Sequence, residues 1–325
     1  MRLSLLDRSR TRAGYPEAAA LRHSVERAAA AEALGYHRFW GAEHHAVPGI
    51  ASGSPAVLLA AAGAHTSRIR LGSGGVMLPH HQPLVVAEQF LMLEALYPGR
   101  VDLGIGRTLG FTEPVRRALR QETDDVEQFS ADIAELRSFL EREAPVTARP
   151  VAATMPQLFL LATGRGITTA ARLGLPVVIG GPVLHSPDLP EMLAAYRRDF
   201  QGSAAVPEPS VMVSLDVFIA DTREEAHELA LPEAWAMARS RETGQFDPLE
   251  PAEKIRSQKW SPRTRSRVDE SLQRVIAGPR GSVSSELEQL IGHTAAEELL
   301  VSTSTYDREA LAGLDADLAE LILRR

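Results

Sequence analysis

Apolar positions along the chain follow two alternating patterns. Short runs rich in β-branched residues recur, and longer stretches with helical spacing separate them. The short runs are "LSLLD" (3–7), "RFWGAE" (38–43), "IRLGSGGVML" (69–78), "VDLGIG" (101–106), "LFLLAT" (158–163), "PVVIGG" (176–181), "SVMVSLDVFIA" (210–220) and "LLVSTST" (299–305). Between them, residues 17–34 are predicted to be helical, with Leu21, Val25, Ala28 and Ala29 on one face and a stop at Gly35. "PLVVAEQFLMLEAL" (83–96) opens with Pro83 in the first turn and ends before Pro98-Gly99. A last helix is expected from the N-cap Asp307 onward. Eight strands alternating with helices predict an α/β fold, a (β/α)8 TIM barrel formed by residues 1–325 as one domain. An open doubly wound sheet competes, but no GxGxxG leads from the first strand into a helix. The rhythm breaks between the seventh and eighth strands. Residues 240–262 are poorly periodic, and "KIRSQKWSPRTRSRV" (254–268) holds six basic residues and no acidic one. We expect an insertion there, with 240–280 a mobile loop, a lid over the barrel mouth or a docking patch.

Composition narrows the class. The chain has 325 residues, 24% of them charged, and a formal net charge of −7, which argues against a nucleic-acid binder with a basic face. No run of apolar residues is long enough for a membrane span, and the start lacks an export signal, so a cytoplasmic protein is expected. With no cysteine, disulfides, thiolate metal sites and thiol nucleophiles are excluded.

In a parallel barrel the active site lies where the strands end. Those ends carry Asp7, Glu43-His44-His45, Ser73-Gly74-Gly75, Arg107 and Thr163. In "ATGRGITTAARLG" (162–174) a strand ends in a hydroxyl and a glycine-containing loop opens a helix. Free N–H groups at such a start attract an anion, with Arg165 or Arg107 to supply charge, although a plain strand-to-helix turn uses the same glycines. The glycines of "GSGGVMLP" (72–79) mark either a bulge at a barrel corner or close approach of a flat ring. Neighbouring residues on an extended chain point to opposite sides, so His44 and His45 are not expected to share a metal. No HxH or HExxH spacing is present, and no metal site is expected. One histidine acting as an acid or base fits better.

Together, "GYHRFWGAEHH" (35–45), "TSRIRLGSGGVMLPHHQPLVVAEQF" (66–90), "LYPGRVDLGIGRTLG" (96–110) and "LFLLATGRGITTAARLGLPVVI" (158–179) resemble the bacterial luciferase-like flavin monooxygenases, in particular the short, single-subunit subgroup. The resemblance spans most of the chain and is thin over 240–280. It implies a dimeric barrel that takes FMNH2 from a separate flavin reductase. Oxygen then adds at the flavin C4a to give a hydroperoxide that oxygenates an organic substrate, here suggested to be an aromatic polyketide of antibiotic biosynthesis. Carried across, His44 matches the catalytic histidine and Arg107 the phosphate-binding arginine. Thr163 matches a phosphate-binding hydroxyl, followed by the amides of Gly164, Arg165, Gly166 and Ile167. Gly74–Gly75 match a non-prolyl cis peptide under the isoalloxazine, with Ser73 beside it and Glu43 beneath the site. Gly106 stands where true luciferases can carry a cysteine, and Ala162 where their catalytic subunit has an acid, which argues against light emission. Three alternatives stand beside this reading. They are F420-dependent hydride transfer on the same fold, a non-catalytic flavin-binding relative and, more remotely, a metal-dependent hydrolase.

Overall fold

The structure is a computed structural model that describes residues 1–108, 112–121 and 126–324. Leu109 and Gly110, at the end of one family motif, lie outside the described residues. In chain order the elements are β1 (Arg2–Asp7), α1 (Ala18–Leu34), β2 (Arg38–Gly41), α2 (Pro55–Ala64), β3 (Arg70–Met77), α3 (Pro83–Leu96), β4 (Val101–Gly106), α4 (Glu113–Ala118), α5 (Val126–Glu141), β5 (Gln157–Ala162), α6 (Arg165–Leu173), β6 (Val177–Gly180) and α7 (Leu189–Asp199). They continue with β7 (Val211–Leu215), β8 (Val217–Ile219), α8 (Arg223–Thr243), α9 (Ala252–Arg256), α10 (Pro262–Leu272), β9 (Ile276–Gly278), α11 (Arg280–Thr294), β10 (Glu298–Val301) and α12 (Arg308–Leu323). Eight parallel strands close a barrel in the order β1-β10-β7-β6-β5-β4-β3-β2.

The apolar alternation finds the barrel because strands buried on both faces read as near-continuous apolar runs. One run misleads. "SVMVSLDVFIA" was expected as a single strand, but it divides at Asp216 into β7, inside the barrel, and β8, which pairs with β9 outside it. The Asp216 carboxylate accepts from Ser302 Oγ at 2.7 Å and from Arg8 at 3.3 Å. A charge anchored this way turns the chain out of the sheet, and apolar periodicity does not register it.

The face of α1 also differs from the apolar expectation. Leu21 is exposed, while Ala20, Ser24, Arg27, Ala28 and Ala31 are buried. Arg27 reaches Asp7 at 3.0 Å and Asp315 at 2.7 Å, and Ser24 donates to Asp7 at 2.6 Å. Electrostatic pairing, not apolar area, sets this helix's rotation. The other two helix expectations match α3 and α12, and Asp307 caps α12 by accepting from the amides of Glu309 and Ala310 at 2.8 and 3.0 Å.

The extra material does lie between the seventh and eighth barrel strands. It holds β8, α8, α9, α10, β9 and α11. Within 240–280, expected to be irregular, α9 and α10 pack on α8 through a cluster of Leu231, Trp235, Ile255 and Val268. Trp235 and Trp260 lie 5.3 Å apart by ring centroid within that packing. Residues 246–249 lie against the loop after β2: Gly49 N–H donates to the Phe246 carbonyl at 2.6 Å, and Phe246 packs with Val47 and Ile50. No helix among the described residues is long and apolar enough to cross a membrane.

The N-terminal end of the barrel is closed by charge. Arg38 bonds Asp102 at 2.6 Å and Glu298 at 2.9 Å, and Arg70 bonds Asp102 at 2.6 Å. Trp40 Nε1 also donates to Asp102 at 3.2 Å, and Ser4 Oγ donates to Glu298. Asp102 is fully buried, and these partners compensate its charge.

Candidate functional site

The opposite end opens into a cavity of about 580 Å³. Six of the barrel strands deliver residues to it at or just past their C-terminal ends: Ala42, Glu43 and His44 after β2, Gly74, Gly75 and Met77 from β3, Gly106 and Arg107 from β4, Ala162 and Thr163 from β5, Gly180 from β6 and Ser214 from β7. Parallel strands all finish on one rim, so residues far apart in sequence converge without any local motif.

Of the residues proposed from sequence, His44, Glu43, Gly74, Gly75, Arg107, Thr163, Arg165 and Gly166 line the cavity, and Ser73, Gly164 and Ile167 do not. Ser73 is fully buried and its hydroxyl donates to the Gly104 carbonyl at 2.8 Å, so it secures β3 to β4. Ile167 is buried in the main core. The amides of Gly166 and Ile167 donate to the carbonyls of Thr163 and Gly164 at 3.0 and 3.1 Å. The amides of Gly164 and Arg165 are therefore the ones at the start of α6 with no such carbonyl partner among the described residues. Gly164 has φ +49°, a left-handed conformation that favours glycine, and a Cβ added there would meet nothing within 4 Å. The turn is open to a ligand, with Thr163 and Arg165 exposed beside it and Arg107 half-buried.

The glycine run of β3 does distort the strand. Its pairing with β4 shifts register between Ser73 and Val76, and the Gly74–Gly75 peptide is cis. A Cβ on Gly75 would stand 2.8 Å from the Gly104 carbonyl oxygen and 3.1 Å from the Gly106 amide. Backbone packs on backbone here, and only glycine fits.

The three residues after β2 separate by role. His44 faces the cavity. His45 turns to Glu43, donating from Nε2 to Oε1 at 2.7 Å, and His81 reaches the same oxygen at 2.8 Å. The Met77 amide donates to the other oxygen at 3.3 Å. Burial alone would raise the Glu43 pKa, but these donors outweigh it and hold it down at about 2. Glu43, His45 and His80 each bring one ligand-capable atom within 4.8 Å of the others. In this arrangement the carboxylate accepts from two imidazoles and an amide and forms a hydrogen-bonded support beneath the rim. His44 is pushed down to about 4, first by desolvation and then by the nearby Arg8 and Arg10 guanidinium groups. It is a neutral imidazole at neutral pH, able to accept a proton.

Sequence reasoning missed part of the wall. Phe129 of α5, Leu160 and Leu161 of β5, Val178, Ile179 and Gly180 of β6, Gly181 and Ser214 form the apolar and small-residue side of the cavity. The "GG" at the end of β6 repeats the glycine signal of β3 and could have been flagged. Phe129 carries no local signal, because only the packing of α5 brings it to the rim.

An anion-ready turn, a glycine floor, apolar walls and a neutral imidazole in one barrel mouth define a barrel enzyme able to hold a flat ligand that ends in a phosphate. The family model for luciferase-like monooxygenases matches residues 1–297, and the chain belongs to that oxidoreductase family. A luciferase-like monooxygenase of Escherichia coli K12 is 37% identical over 315 residues, covering 94% of this chain and 92% of the relative. The solved structure of apo-MsnO8 is 34% identical, covers 99% of this chain and 98% of its own, and superposes with a TM-score of 0.89. A type II Baeyer-Villiger monooxygenase, the oxygenating constituent of 3,6-diketocamphane monooxygenase of Pseudomonas putida in complex with FMN, shares the fold at 17% identity, 99% and 97% coverage and a TM-score of 0.76.

Proposed function

We propose that this chain is the oxygenating component of a two-component, FMNH2-dependent monooxygenase. The observation that carries the reading is the junction, in one cavity, of Thr163, Arg165, Arg107 and the open start of α6 with the glycine floor of β3 and an apolar wall. The residues fit FMN. The cationic turn suits its phosphate. Gly74 and Gly75 present backbone to the cavity as a floor on which a ring can lie, and Val178, Ile179 and Phe129 exclude water beside it. Reduced flavin bound there supplies the activation of O2 for transfer of one oxygen atom to an organic substrate. The protein's own part is to anchor the phosphate, keep the ring dry and hold the neutral His44 imidazole at the rim to take a proton. The family supports oxygenation, and the Pseudomonas protein carries FMN on the same fold. An aromatic polyketide is the substrate class we put forward, and a separate flavin reductase is the source of FMNH2.

We further propose a homodimer. α2 and α3 present Val57, Val85, Met92 and Leu96 to solvent, a row of apolar side chains suited to a second copy. Sedimentation of the wild type and of Val57→Lys reads this directly.

The test of the function is an anaerobic titration with FMNH2 followed by air. Tight binding, weaker binding of oxidised FMN and a transient absorption distinct from both flavin states support the reading. No binding of FMNH2, with binding of reduced F420 instead, overturns it in favour of hydride transfer.

A further inference from the structure

The segment "DRSRTR" (7–12) plays no part in the cavity wall, yet it is among the most constrained stretches of the molecule. After β1 the chain turns at Ser9, whose φ is +48°, and runs between two loops. On one side lies the loop 44–52 that carries His44. On the other lies 246–249. Thr11 N–H donates to the Gly49 carbonyl at 3.0 Å, Thr11 Oγ1 to the Pro48 carbonyl at 2.7 Å, and Ala51 N–H to the Ser9 carbonyl at 3.0 Å. Leu249 N–H donates back to the Thr11 carbonyl at 2.9 Å, and the His44 loop closes on itself through His44 N–H to the Ser52 carbonyl at 2.9 Å.

One side chain joins all these parts. The Arg10 guanidinium donates to Glu233 of α8 at 2.8 Å, to the Gly49 carbonyl, and to the Asp247 carbonyl at 3.3 Å. Its carbon lies 4.4 Å from the centroid of Phe246. A Cβ at Gly49 would collide with Arg10 and with the carbonyls of Phe246 and Asp247, so that contact tolerates only glycine. Arg8 binds the other oxygen of Glu233 at 3.0 Å. Glu233 is buried and offsets both arginines.

We infer that Arg10, anchored by Glu233, is the positioning residue for His44, fixing the loop that presents the imidazole to the cavity and setting the charge around it. The inference rests on the functional reading that His44 is the working imidazole. Among the described residues, the charged or titratable groups that act on His44 include Arg8, Arg10, Glu43, His45 and Glu233. The planar fork matters because three separate nitrogens, Nε, Nη1 and Nη2, each meet an acceptor on a different segment, whereas the three donors of an ammonium all sit on one atom.

The experiment uses the full chain without flavin. It records the histidine ring titration by NMR, assigned by loss of the signal in His44→Gln, together with amide exchange at Thr11, Gly49 and Ala51. Arg10→Gln is expected to raise the His44 midpoint by about half a unit or more and to speed exchange at the three amides about tenfold. Arg10→Lys, which keeps the charge and loses the fork, is expected to leave the midpoint low while exchange still rises. A folded Arg10→Gln protein with an unchanged His44 midpoint overturns the proposal, because Arg10 is then only a structural clamp. If Arg10→Gln does not fold, Phe246→Leu loosens the guanidinium without altering charge, and unchanged exchange in that variant overturns the proposal equally. Because no flavin is present, a protein that shows the shift yet never binds FMNH2 defeats the functional reading and leaves the positioning role standing.

Discussion

The two ends of the barrel are built from the same strands and reach opposite solutions. At the N-terminal end, Arg38, Arg70, Asp102 and Glu298 face one another and cancel inside the protein. At the C-terminal end, Arg107 and Arg165 line a cavity in which Glu43 is the one lining carboxylate among the described residues, and Glu43 is turned to His45 and His81. Charges closed on one another hold a fold together. Cations that line an open cavity beside a helix start form a place that an anion from outside can enter. The same residue type, arginine after or within a strand, therefore means different things at the two ends.

The sharpest way to break the comparison is Asp102→Ala. It leaves buried Arg38 with Glu298 alone and takes the carboxylate from Arg70, and is expected to cost about 3–5 kcal/mol, read as a lower urea midpoint. At the other end, Arg107→Ala is expected to leave that midpoint within about 0.5 kcal/mol. The same variant weakens FMN binding roughly 10- to 100-fold, the worth of a hydrogen bond to a charged group, while riboflavin, which lacks the phosphate, binds as before. Equal losses for both ligands would remove Arg107 from the phosphate site. Gly75→Ala bridges the two behaviours. Its Cβ would press on the Gly104 backbone, so about 1–3 kcal/mol of stability and ring binding are expected to fall together in calorimetry and flavin titration.

A separate set of effects is in pH. A histidine whose folded pKa is depressed stabilises the fold above its unfolded value near 6.5, and that contribution is lost as pH falls toward about 4. His23 behaves in the same way, also pushed down to about 4 by burial. His44→Gln is therefore expected to reduce, but not abolish, the loss of stability between pH 6.5 and 4, because burial also pushes down His23, His37 and His227. Glu43, held at about 2, adds a separate loss below its ordinary value near 4.5, and Glu43→Gln should remove it from an acid denaturation series.

Strand ends were the most legible part of the site. Glu43-His44, Arg107 and Thr163 stand where an apolar run stops, Gly74-Gly75 interrupt one from within, and a parallel barrel gathers them at one mouth. The misreadings share one cause. Leu21 was placed inward and Asp216 was passed over because apolar spacing is blind to paired charges, and here Asp7–Arg27–Asp315 and Asp216–Arg8 decide the geometry. Ser73, drawn in with its glycine neighbours, belongs to the strand-to-strand fastening and not to the cavity.

What the sequence determined by itself was the barrel, the rim and the residue types on it. Those follow from local periodicity, glycine and the polarity of strand ends, all of which act over a few residues. Only the tertiary structure decided that Glu43 serves His45 and His81, that Phe129 walls the cavity, and that Arg10 joins Glu233 to the His44 loop across 223 residues of chain. Such pairings depend on direction and distance between side chains brought together by folding, and no spacing along the chain encodes them.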